Sequence, residues 1–149
     1  MNAHELNVFV GGVTRYFSET TGTPAEVGAP YLLDDARGLA GEFTGAIGIS
    51  GKNRGCVYFT ADRTLLSWVM TAICETRKSD ENMLDLVGDI ANTVSGNARQ
   101  YFGSDFMISV PTLIHGSGAL HLPKGVRSYA IPVVWKNIRA TLIIVLEKQ

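Results

Sequence analysis

Leu6, Val10, Val13 and Phe17 recur at three- and four-residue steps near the start of the chain, with Val8, Phe9 and Tyr16 widening the stripe. This spacing predicts an amphipathic helix that Gly22 and Pro24 bring to a stop. Residues 23–42 lack a clear period and hold two prolines, which suggests a short edge strand around 26–33 followed by a loop. The stretch FTGAIGIS alternates small and apolar residues, GKNRG supplies a turn, and CVYFT is rich in strand formers, so residues 43–61 read as a β-hairpin. Its glycines weaken strand propensity but let a helix lie close against the sheet.

Asp62 then offers an N-cap to a helix with Leu65, Leu66, Val69 and Ile73 on one face. After the polar break TRKSDEN, Ser79 or Asp80 caps a longer helix whose buried stripe is Leu84, Val87, Ala91, Val94, Ala98 and Tyr101. Beyond Gly103 the runs FMISVPTLI, VRSYAIPVVW and ATLIIVLE are β-rich, and WKNIR joins the last two closely enough for a hairpin. Pro111 and Pro132 mark edge strands or bulges, since proline cannot donate to a ladder. The order helix, three strands, two helices, three strands predicts an α+β fold: two layers, with helices packed on one face of a mostly antiparallel sheet.

Composition narrows the options. A chain of 149 residues, 46% apolar and 18% charged, is expected to form a single domain over 1–149 with a real core and not a disordered segment. Thirteen basic against fourteen acidic side chains give a net charge of −1, and no basic tract stands out, so nucleic acid is not an expected partner. The N-terminus has no signal-peptide pattern and the longest apolar run, TLIIVL, is far too short to span a bilayer, which makes the cytoplasm the expected setting and a membrane partner unexpected. Cys56 and Cys74 read as reduced, buried thiols. His4, His115 and His121 have no ligand-spaced companions, so a zinc site is not expected.

The long helix carries the candidate chemistry. Asp85, Asp89, Asn92 and Gly96 follow helical steps on a face other than the apolar stripe and so line one ridge. Polar residues on an outer helix face are usually just solvated. Asn, however, competes for backbone hydrogen bonds in a helix interior, and Gly there costs roughly 0.8–1.0 kcal/mol relative to Ala. A partner that must approach the helix closely explains both. Ser95 has no His–acid relay, so nucleophilic catalysis is disfavoured.

The segment ENMLDLVGDIANTVSGNA resembles the signature helix of the CheC/CheX/FliY family of response-regulator phosphatases. The family pattern is Asp or Ser, three residues, Glu, two residues, Asn, and later a proline; here stand Asp85, Asp89, Asn92 and Pro111 of VPTLIHG. The order of elements is similar as well, and the single motif copy resembles CheX more than the usually two-copy CheC. The resemblance implies a phosphatase acting on a phosphorylated CheY-type response regulator, with Asn92 orienting the attacking water and Asp89 pairing with the regulator's lysine. Asp85, Ser95, Gly96 and Pro111 would meet the partner. It further implies a homodimer formed through the sheet, no cofactor of its own, and Mg2+ on the regulator. The main departure is Asp89, one methylene shorter than the family's Glu. The alternative is a non-catalytic module that binds receiver domains through the same ridge.

Overall fold

The computed structural model describes residues 1–35 and 38–148. The first helix, α1 (Ala3–Thr21), opens with a capping box in which Asn2 and Glu5 satisfy one another's backbone amides, and it closes on Gly22 in the left-handed conformation. The expected edge strand is present but broken, as β1 (Glu26–Val27) and β2 (Tyr31–Leu33). Within the expected loop that follows, Ala36 and Arg37 lie outside the described residues. The hairpin is β3 (Phe43–Gly51) and β4 (Asn53–Ala61), paired from Phe43↔Ala61 to Ile49↔Gly55, so the chain reverses within GKNRG.

Helix α2 (Arg63–Ala72) follows Asp62, whose carboxylate accepts from the Glu42 backbone and not from the helix it precedes. Helix α3 (Asp80–Phe102) starts on Ser79, whose hydroxyl accepts from the Asn82 amide. The run FMISVPTLI forms two short strands, β5 (Phe106–Ile108) and β6 (Thr112–His115), both pairing with β3. Pro111 sits at the interruption between them on the sheet edge. The last strands, β7 (Ser128–Trp135) and β8 (Ile138–Lys148), form a hairpin whose two linking residues, Lys136 and Asn137, both have positive φ. Pro132 lies inside β7 but falls between the segments paired with β2 and β1, where only its carbonyl is used, accepting from Gly28.

All pairings are antiparallel, in the order β1-β7-β8-β4-β3-β5, with β2 beside β7 and β6 beside β3. The main core lies between one sheet face and the helices. Phe9, Val13 and Phe17 of α1, Leu66 and Val69 of α2, and Val87, Ile90 and Val94 of α3 meet Ile47, Phe59, Leu142 and Ile144 there. The opposite sheet face carries a smaller cluster in which Tyr58, Ile143 and Val145 are covered by Leu120 and its neighbours Leu122 and Val126. The near-continuous apolar run of β8 is explained by burial on both faces.

Two expectations need correction. Tyr101 does not complete the α3 stripe: it is 49% exposed with its ring edge-on against His4, while the next residue, Phe102, is the one that packs against the core. The cysteines are not a buried pair. Cys56 is partly covered on the smaller cluster, and Cys74 is exposed just beyond α2 in a left-handed conformation. Among the described residues, no helix is long and apolar enough to cross a membrane.

Candidate functional site

The ridge of α3 is set in place by glycines beneath and beside it. Gly45 of β3 lies directly under α3, and a Cβ there would drive into the carbonyl of Val87. Gly88, on the helix itself, faces the sheet edge, where a Cβ would come within 2.6 Å of Leu113 and 3.2 Å of Pro111. These two bare positions let helix and strand backbones approach closely, which brings the Pro111–Leu113 corner against the ridge. An ionic clamp holds the start of the helix. Arg63 reaches Asp80 at 2.7 Å and Glu42 at 2.8 Å, and His115 meets the same Glu42 carboxylate at 3.3 Å. The His115 bond, reinforced by Arg63, holds the Glu42 carboxyl below its ordinary range.

Asp85, Asp89 and Asn92 all point outward and are exposed. Gly96 continues the line with no atom near the position a Cβ would take. Pro111 joins them: one groove of about 340 Å³ is lined by Asp85, Gly88, Asp89, Asn92, Pro111 and Leu113. The opposite flank, about 230 Å³, is lined by Met70, Ile73, Glu75, Asn82, Asp85, Leu86 and Asp89. The aspartates therefore stand on a crest between two shallow, partly apolar grooves with no lysine or arginine in either lining.

Ser95 is the misplaced member. It is fully buried, and its hydroxyl has no hydrogen-bond partner among the described residues, so it cannot meet a partner molecule. The covered arc of α3 is wide, since α1, β3, β4, β5 and β6 all contact the helix, and position 95 falls inside that arc. The sequence reading also missed Gly88, Leu113 and the Ile73–Glu75 flank. Gly88 had a signal: a second glycine in a helix interior, directly before Asp89.

The electrostatics follow from this placement. Among the described residues, the Asn92 amide makes no hydrogen bond and the Asp89 carboxylate makes neither a hydrogen bond nor an ion pair. Partial burial between the grooves raises the Asp89 carboxyl above its usual range. The crest thus offers an amide with both of its hydrogen-bonding ends free and, one helical turn before it, a carboxylate that lacks a cation.

Comparison with known proteins gives the family and the fold. The sequence model of the family described as "Chemotaxis phosphatase CheX" matches residues 43–134. No curated protein matches the chain. Among solved structures, a CheC-like superfamily protein from Shewanella sp. PV-4 is similar at 25% identity and a TM-score of 0.84, covering 99% of each chain. CheX from Vibrio vulnificus is similar at 23% identity and a TM-score of 0.82, over 97% of this chain and 100% of that one. The CheX–CheY–BeF3–Mg2+ complex from Borrelia burgdorferi is similar at 16% identity and a TM-score of 0.77, over 97% of this chain and 98% of that one. The family match spans more than half of the sequence and contains the whole of α3 with its ridge, so the chain belongs to the CheX family of chemotaxis phosphatases.

Proposed function

We propose that the protein hydrolyses the aspartyl phosphate of a CheY-type response regulator, using Asn92 to orient the attacking water and Asp89 to pair with the regulator's lysine. The observation that carries this reading is the exposure of Asp89 and Asn92 one turn apart on a helix crest, the amide free at both ends. The CheX–CheY complex of the Borrelia relative supports the choice of partner. The family reading also carries a homodimer in the cytoplasm.

An acyl phosphate has a good leaving group, and on the regulator its charge is met by Mg2+ and a lysine. What remains is to hold a water in line with the breaking bond. An amide accepts from the water with its oxygen and donates with its nitrogen, as the water-orienting glutamine of GTPases does. The water oxygen bonds to phosphorus, the bond to the regulator's aspartate breaks, and phosphate and free carboxylate leave. No covalent intermediate forms on this chain, so positioning is the whole of its contribution. The test is phosphate release from a panel of phosphorylated CheY-type regulators. Release faster than spontaneous decay supports the reading. Binding without acceleration favours the receiver-binding module, an outcome made physically reasonable by the short, cation-free carboxylate at position 89.

Two further results are expected. Gly96→Ala fits without a clash and adds helix propensity, so it should stabilise the fold by roughly 0.8–1.0 kcal/mol in thermal or urea unfolding. The same methyl stands on the docking crest, so KM for the phosphorylated regulator should rise. A more stable protein with unchanged KM would remove Gly96 from the contact.

The second concerns acid. The folded Asp89 pKa lies above its usual value of 3.8, so the folded protein takes up that proton first as pH falls. Its charge therefore subtracts stability above the raised pKa and supplies no stability below it. Docking needs the ionised form, so affinity for the regulator should decline on acidification before ordinary aspartates titrate. Asp89→Asn should abolish that acid limb of the binding curve, and at neutral pH leave the fold as stable as before or more so.

A further inference from the structure

Helices α1 and α3 run antiparallel. Near one end the His4 and Tyr101 rings meet at 5.2 Å, and further along Gly12 lies against Val94, whose Cγ1 is 3.4 Å from where a Gly12 Cβ would be. One more turn along each helix, in opposite senses, brings Tyr16 opposite Ile90 and beside Asp89. Tyr16 is only 4% exposed, and its hydroxyl has no hydrogen-bond partner among the described residues. A buried phenol without an acceptor is unusual enough to need a reason. Burial raises its pKa far above the ordinary tyrosine range, and the charge of Asp89 raises it further, so the two groups sense one another across the helix pair.

Asp89 has the complementary deficiency. Its carboxylate lacks a donor among the described residues, and the groove toward the end of α2 that it lines contains two further carboxyl-bearing residues, Asp85 and Glu75, and no cation. A phenol can give one hydrogen bond, and a carboxylate can take several.

We infer that Tyr16 is a positioning residue for Asp89, its hydroxyl donating to a water that in turn donates to the inner carboxylate oxygen, and leaving the outer oxygen for the partner's cation. This rests on the proposed function for its purpose but not for its chemistry. It also accounts for the short side chain at position 89. An aspartate keeps its carboxylate close to the helix backbone, near a phenol seated between the helices. A glutamate would carry both oxygens one carbon further out.

Tyr16→Phe keeps the ring and its packing and removes only the hydroxyl. The first measurement needs no partner: titration of the Asp89 carboxyl by NMR in the wild type and in Tyr16→Phe. Loss of a donor to the ionised form should raise the Asp89 pKa. An unchanged titration overturns the inference, whatever becomes of the phosphatase reading. The second uses a phosphorylated CheY-type regulator. Tyr16→Phe should raise KM roughly 3- to 10-fold with kcat little changed. It should have no effect on KM once Asp89→Asn is present, because the cycle isolates the coupling between the two groups. Equal effects in both backgrounds would mean that the phenol acts only on packing, and would overturn the inference. If the wild-type protein shows no turnover at all, the proposed function fails and the titration alone decides the pair.

Discussion

Asn92→Ala should abolish the proposed acceleration of regulator dephosphorylation while the protein melts where the wild type does, or slightly higher. The loss in rate should be about a hundredfold or more, the scale on which misplacing a reacting group by an ångström is felt. Three structural facts set this expectation. The Asn92 side chain is exposed and makes no hydrogen bond within the described protein, so nothing in the fold depends on it. Its amide lies on the crest beside Asp89 and above the Pro111 corner, where a docked partner would meet it. And alanine is the better helix former, by up to roughly 0.7 kcal/mol. Asn92→Asp is the sharper companion. It keeps the shape but replaces the donating nitrogen by a charged oxygen, which would repel the phosphoryl group, and it should be as inactive as alanine. Phosphate release measured beside a binding assay checks both variants. Wild-type turnover in either one would remove Asn92 from the chemistry.

A large effect on stability is expected from Gly45→Ala, a change of one methyl group beneath α3. Gly45 is held by Phe59 on one side and Leu113 on the other, so β3 cannot move aside, and the new methyl would meet the Val87–Gly88 backbone of α3. Backbone has no rotamer with which to yield. The cost should be about 1–3 kcal/mol, read as a lower urea midpoint at unchanged slope. Helix α3 would also lift from the Pro111–Leu113 corner, so activity should fall in the molecules that remain folded. Gly48→Ala is the control. In the same strand its methyl would find only the Ser109 side chain, 3.4 Å away, and it should be tolerated.

Much of this was legible because helical spacing is a local property. Asp85, Asp89, Asn92 and Gly96 sort onto one face by counting alone, and the structure places them on one crest. The hairpins and caps were readable for the same reason, since Gly22, Ser79 and the Lys136–Asn137 turn act within a few residues of themselves. Ser95 was misjudged because spacing gives direction around a helix but not the width of the arc that other elements cover. Tyr101 failed in the opposite sense, by lying outside that arc while its neighbour Phe102 packs against the core. The FMISVPTLI run was correctly seen as β but not as two strands, because the break at Pro111 depends on how β3 pairs on its far side. Tyr16 was counted as part of an apolar stripe, and its hydroxyl acquires meaning only when α1 is laid antiparallel on α3.

The close seat of α3 on Gly45 bears on how the protein recognises anything. The crest belongs to a helix whose inner face is the centre of the core, held at its start by the Arg63 clamp. It cannot bend toward a partner without disturbing that core. Association then needs little ordering of the crest backbone, so little of the binding energy is lost as conformational entropy. If the proposed function holds, a rigid crest leaves much of the discrimination between phosphorylated and unphosphorylated regulator to the regulator's own change of shape, with this chain serving as the fixed gauge against which that shape is tried.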